Sequence, residues 1–157
     1  VLFRSVSFEE PPEDLRRNAA SFTWGHRLHE AKLTTVDARP DRESDATGRF
    51  DVQGLLAAID ARASQLGATW LVLDGIDQLL RLEPDDEAAV AEIQRIDEWT
   101  RSRGITTILT AKRSDPRETT AMHLSGVEFL LSTILVLSAE LVGRRLNRRF
   151  QIGRAHV

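Results

Sequence analysis

The sequence predicts an α/β domain of three layers built on a mostly parallel sheet, and two patterns predict it. Short aliphatic and β-branched runs alternate with helical segments of roughly ten to seventeen residues, the rhythm of right-handed βαβ units. The apolar runs are continuous rather than alternating, as in strands covered on both faces, and they end in carboxylates or a hydroxyl. At 157 residues, 41% of them hydrophobic and 29% charged, the chain is sized for one domain with one core.

The first element is the end of a buried strand at Val6, Ser7 and Phe8, because Pro11 and Pro12 have no N–H to give a sheet and force the preceding residue extended. A helix follows, since proline suits a first helical turn, Glu13 and Asp14 suit its positive end, and Leu15, Ala19 and Phe22 recur on one face. The β-branched run Leu33-Thr34-Thr35-Val36-Asp37 predicts a second strand, and residues 38–49 a polar, solvent-facing loop. Helical spacing returns at Val52, Leu55, Leu56, Ile59, Ala63 and Leu66 and stops at Gly67. Trp70-Leu71-Val72-Leu73-Asp74 is a continuous apolar strand closed by an acid. Pro84, Asp85, Asp86 and Glu87 open a helix through Val90, Ile93, Ile96 and Trp99 that closes at Gly104. Residues 105–109 form a further buried strand with Thr110 at its end, and residues 133–137 another. The alternation over residues 144–152 predicts a C-terminal β-hairpin partner. The two ends stand apart: VLFRS at 1–5 and IGRAHV at 152–157 read as translations of one sequencing adapter in opposite orientations. The natural segment is then residues 6–151, an internal piece of a longer product.

Composition narrows the function classes. With no cysteine there is no disulfide framework, thiolate metal site or cysteine nucleophile, and a cytoplasmic location is expected. The longest apolar stretch, residues 129–137, is broken by Ser132 and Thr133 and is too short to span a bilayer, so no membrane association is expected. The net charge of −3 gives no general electrostatic reason to bind nucleic acid. Setting aside Arg4 and Arg154 leaves 19 basic against 24 acidic residues, a charge of −5, which weakens that case further.

In parallel sheets ligands bind at the carboxyl ends of the strands. Glu9, Glu10, Asp74 and Thr110 all fall at such ends, on three strands, and so converge although distant in sequence. An acid ending an apolar strand is what a phosphate-transfer enzyme needs to hold Mg²⁺ through water, and a carboxylate on the neighbouring strand can orient or deprotonate the attacking water. The residues alone leave a plainer alternative open, and it is the commoner one: Asp74 caps the turn Asp74-Gly75-Ile76-Asp77, while Glu9 and Glu10 are solvated at a strand end. None of the nine glycines begins a G-x-x-x-x-G-K-[ST] phosphate loop.

The stretches VSFEEPPEDLRRNAASFTW, WLVLDGIDQLL, GITTILTAKR and GVEFLLSTILVL, in that order, resemble the circadian-clock KaiC family of RecA-like P-loop ATPases over residues 6–151. In that family a phosphate-binding loop and its helix precede the strand that ends in paired glutamates, so the resemblance implies a core lacking its first strand and phosphate loop. It implies that Glu9 and Glu10 are the catalytic pair, that Asp74 is the Walker B aspartate serving Mg²⁺, and that Thr110 ends the sensor strand beside the nucleotide. Adjacent residues at a strand end point to opposite sides, so one glutamate faces the γ-phosphate directly, and Glu10 is preferred as the base. For the parent, the resemblance implies ATP and Mg²⁺, a homo-oligomeric and hexameric ring, and a protein partner in signalling or timing. Two departures matter. Where autophosphorylating members carry a Ser-Thr pair before the strand at 133–137, this chain has Glu128 and Phe129, so self-phosphorylation there is not expected; a family aspartate before that strand is Ser132.

Two other functions compete. A RecA/RadA-type recombinase would bind single-stranded DNA through basic or aromatic loops, which this acidic chain does not show. A degenerate scaffold would keep the fold without hydrolysis. Among lesser features, His26 and His29 lack a third ligand and read as ordinary polar residues. Trp70 and Trp99 read as core, Lys112-Arg113 as either a solvated loop or a phosphate contact, and Arg144, Arg145, Arg148 and Arg149 as a solvated hairpin or a subunit contact.

Overall fold

The computed structural model describes residues 3–28, 33–39, 51–112 and 125–153. The chain divides into two compact units, residues 1–122 and 123–157.

In the first unit the strands are β1 (Phe3–Ser7), β2 (Leu33–Asp37), β3 (Trp70–Asp74) and β4 (Thr106–Leu109), in the order β2-β1-β3-β4, and every pairing is parallel. Phe3, Arg4 and Ser5 thus occupy strand positions. Between the strands lie α1 (Pro12–Ala20), a 3₁₀ turn at Gly25–Leu28, α2 (Val52–Leu66), α3 (Ile76–Leu80) and α4 (Asp86–Ser102). The connection from β1 to β2 runs one way across the sheet, whereas those from β2 to β3 and from β3 to β4 run the other way. Right-handed crossovers therefore set α1 on one face and α2 and α4 on the other, giving the three layers. The connections leaving β1 and β3, which are neighbours, go to opposite faces, so a crevice opens outside their carboxyl ends.

The ends of the long helices follow from local chemistry. The Asp51 carboxylate accepts from the Gly54 N–H at 2.9 Å and the Asp85 carboxylate from the Ala88 N–H at 2.8 Å, each satisfying an orphan donor of a first turn. Gly67 ends α2 in the left-handed region, φ 59°. Val52, Leu56 and Ile59 of α2 and Ala89, Ile93 and Ile96 of α4 are buried with Val6, Leu71 and Leu73 of the sheet, forming one core. Two sequence expectations shift here. Phe22 lies beyond the end of α1 and is 55% exposed, stacked on Trp24 with ring centroids 5.0 Å apart. Trp99 is half-buried, and the Arg103 guanidinium lies over its ring at 4.5 Å, so it is not a core residue. Most of the loop expected at 38–49 lies outside the described residues.

The second unit contains α5 (Ser125–Glu128) and the antiparallel hairpin of β5 (Ile134–Val142) and β6 (Arg145–Gly153), turning at Gly143 with φ 64°. The register pairs Leu135 with Ile152, Leu137 with Phe150 and Leu141 with Leu146, so these six exposed apolar residues share one face of the hairpin.

Candidate functional site

The site is built where β1, β3 and β4 end. Ser7 and Asp74 are level across the β1–β3 pairing, and the Phe8 N–H donates to the Asp74 carbonyl at 2.9 Å, carrying the alignment one residue past the strand. Beyond Phe8 the chain must turn, because the prolines of α1 cannot continue a ladder. Ser7 makes that turn. Its side chain has no solvent exposure, and its hydroxyl oxygen accepts from the Glu9 N–H at 3.4 Å and the Glu10 N–H at 3.0 Å. The hydroxyl donates in turn to Asp74 Oδ2 at 3.5 Å, so one buried hydroxyl links the glutamate pair to the aspartate.

The two glutamates diverge, as adjacent residues at a strand end must. Glu9 leans toward β3 and β4. Its Oε1 accepts from Gln78 Nε2 at 3.4 Å and pairs with Lys112 Nζ at 2.8 Å, and its Cγ fills the place that a Cβ on Gly75 would occupy. Glu10 turns toward α1, where its Oε2 accepts from Asn18 Nδ2 at 3.2 Å.

Asp74 is fixed from the other side by Thr110. The Thr110 hydroxyl donates to Asp74 Oδ1 at 2.6 Å and accepts from the Gly75 N–H at 3.0 Å, while the Ile76 N–H donates to the Thr110 carbonyl at 2.9 Å. Gly75 takes φ 77°, a left-handed conformation that lets the chain leave β3 directly into α3. From α3, Asp77 is only 3% exposed and its Oδ1 accepts the Lys112 N–H at 3.1 Å, tying down the segment that leaves β4. The hydrogen bond and charge of Glu9 raise the pKa of Lys112, so its ammonium stays charged beside the acids.

All four residues singled out from sequence therefore stand at one edge, with Asp74 and Thr110 in direct contact and Glu9 and Glu10 joined to Asp74 through Ser7. Ser7, Gln78 and Asp77 are additions. Ser7 is legible only as a small polar residue inside an apolar strand end, and Gln78 and Asp77 are placed by α3, whose five residues give too little period to mark a helix in the sequence. His26 sits exposed on the 3₁₀ turn, while His29 and Arg113 lie outside the described residues. A cleft of about 520 Å³ between the N-terminal parts of α2 and α4 is lined by Val52, Ala88 and Arg95 among others and contains none of the strand-end residues.

Among the described residues no group of three or more His, Cys, Asp or Glu has the arrangement of a protein-ligated metal centre, and no helix is long and apolar enough to cross a membrane. What the edge offers is an oxygen-only donor set of carboxylates and a hydroxyl. That set fits a hard, hydrated cation such as Mg²⁺, which keeps most of its water and takes one or two carboxylates.

Residues 4–155 match the family model described as the KaiC ATPase. The chain is 32% identical over 151 residues to the circadian clock oscillator protein KaiC of Parasynechococcus marenigrum, covering 94% of this chain and 29% of that protein. It is 30% identical to the protein of the same name from Acaryochloris marina, with 94% and 28% covered, and 29% identical to that of Synechococcus elongatus, with 94% and 29% covered. The chain thus spans less than a third of the length of these relatives.

Proposed function

Since the chain belongs to the KaiC ATPase family, with a three-layer α/β fold of the RecA-like type, we propose that its full-length parent binds ATP with Mg²⁺ and hydrolyses it within a homo-oligomeric, hexameric ring. The observation that supports this is the meeting of Glu9, Glu10, Asp74 and Thr110 at the crevice between strands whose connections leave to opposite faces. The relatives' name, circadian clock oscillator protein, favours a cytoplasmic role in timing or signalling through a protein partner.

Hydrolysis requires that water attack the terminal phosphorus, that the bond to the β-phosphate oxygen break, and that the water's proton leave. Glu10 is the carboxylate assigned to take that proton, because it turns away from β3 and, among the described residues, is paired with no cation and accepts only the amide of Asn18, whereas Glu9 is held by Gln78 as well as Lys112. Glu9 keeps negative charge and orientation beside it. Mg²⁺, when bound, supplies neutralisation of the charge that develops on the phosphate oxygens. Asp74 would hold it through water, with its carboxylate oriented by the hydroxyls of Thr110 and Ser7. Thr110, at the end of β4, stands to report the state of the nucleotide to the sheet.

The test is steady-state ATP hydrolysis, nucleotide binding and mass in solution, all measured on the parent. Magnesium-dependent turnover by a hexamer is expected. Tight ATP binding without turnover would make the protein a scaffold, and failure to bind ATP would end the ATPase assignment.

A further inference from the structure

Lys112 is fixed at its root and exposed at its head. Its backbone N–H donates to Oδ1 of Asp77, an acid that is itself 3% exposed and paired with Arg81 at 3.6 Å, so the backbone of the segment leaving β4 is held in place. Its side chain is 71% exposed, whereas that of Glu9, its partner at 2.8 Å, is 21% exposed. An ion pair whose cation is so exposed is weak and easily exchanged for another anion. The terminal phosphate of a nucleoside triphosphate is such an anion, with more charge than a carboxylate and more acceptor oxygens. Three N–H donors on one ammonium allow the exchange to proceed through a shared state.

We propose that Lys112 is a phosphate-responsive positioning residue: without nucleotide its ammonium holds Glu9, and the terminal phosphate of a bound triphosphate draws that ammonium away and releases the carboxylate toward the crevice. This rests on the ATP chemistry proposed for the same site. Its consequence is that triphosphate, and not diphosphate, changes the company Glu9 keeps, so one lysine couples the presence of the γ-phosphate to the arrangement of the acids.

The experiment is calorimetric titration of the full-length parent with ATP and with ADP, in the presence of Mg²⁺. The proteins are the wild type, Lys112→Met, Lys112→Arg, Glu9→Gln and the double variant Glu9→Gln/Lys112→Met. Lys112→Met is expected to lower the preference for ATP over ADP by about tenfold, the size of a lost charge-assisted hydrogen bond, and Lys112→Arg to retain most of it. Glu9→Gln is expected to tighten ATP binding only while Lys112 is present, because it removes the competitor for the ammonium. An unchanged ATP preference in Lys112→Met would overturn the proposal and leave the ATPase assignment standing. The same tightening by Glu9→Gln in the double variant would also overturn it, since simple charge repulsion would then account for the effect. A wild-type parent that does not bind ATP would overturn both.

Discussion

Ser7 carries more of the site than its size suggests, because a single buried hydroxyl accepts two backbone N–H groups and donates to Asp74. Removing it leaves those partly buried donors without their acceptor, which costs part of the desolvation of an unsatisfied group as well as the small net value of a hydrogen bond. Ser7→Ala is therefore expected to destabilise the first unit by about 1–3 kcal/mol, read from denaturant unfolding. Gly75 is constrained twice over, by a φ of 77° and by the Glu9 Cγ standing where a side chain would begin. The Glu10→Gln variant of the parent keeps shape and loses the proposed proton acceptor. Its turnover is expected to fall roughly a hundredfold or more with ATP binding retained, whereas Asp74→Asn should weaken the Mg²⁺ dependence of nucleotide binding instead. Near-normal turnover in Glu10→Gln and Glu9→Gln alike would return the pair to a solvated strand end, the plainer alternative that the residues alone leave open.

At the scale of elements, α2 and α4 are joined outside the core by the fork of Arg103 on Asp60, with two N–H···O contacts of 2.8 Å. The hydrogen bond from Arg103 lowers the pKa of Asp60 below its ordinary 3.8. A lowered carboxylate pKa means that the pair contributes above pH 3.8 and is lost as pH falls through the lower folded value. Thermal unfolding followed between about pH 5 and pH 2 should thus show a shallower loss of stability in Asp60→Asn than in the wild type, and identical slopes would show that the fork contributes nothing. These two helices, with β2 and β3, were legible in the sequence because Asp51, Asp85, Gly67 and Gly104 punctuate their apolar periods. The short helix α3 was not, since five residues directly after a strand give barely one turn of period and read equally as a turn around Gly75. The strand predicted at 133–137 continues to Val142, because backbone pairing of Ser138 with Arg149 and of Glu140 with Asn147 carries the hairpin through residues with no apolar signal. The three acids of the site and the Thr110 hydroxyl were legible as strand ends, whereas the contacts that link them depend on register, which composition does not encode.

Across the whole molecule, the charge placed at the strand ends decides how the 157-residue chain alone should meet a nucleotide. Glu9, Glu10 and Asp74 stand at the crevice with Asp77 beneath them, and among the described residues the ammonium of Lys112, which Glu9 already engages, is the one cation paired with those at the crevice. A triphosphate approaching this edge meets net negative charge, and none of the nine glycines opens a loop whose N–H groups would wrap the phosphates. Since nucleotide affinity in phosphate-loop folds comes mainly from that loop and its lysine, the carboxylates here can position chemistry but cannot supply binding. The chain alone is expected to bind ATP with a Kd weaker than about 1 mM, and Mg²⁺ should improve this only by screening the acids. Calorimetric titration with and without Mg²⁺ checks the point. A micromolar Kd would mean that the crevice between β1 and β3 holds a nucleotide through contacts other than a phosphate loop, and the division of labour between binding loop and catalytic edge would have to be redrawn.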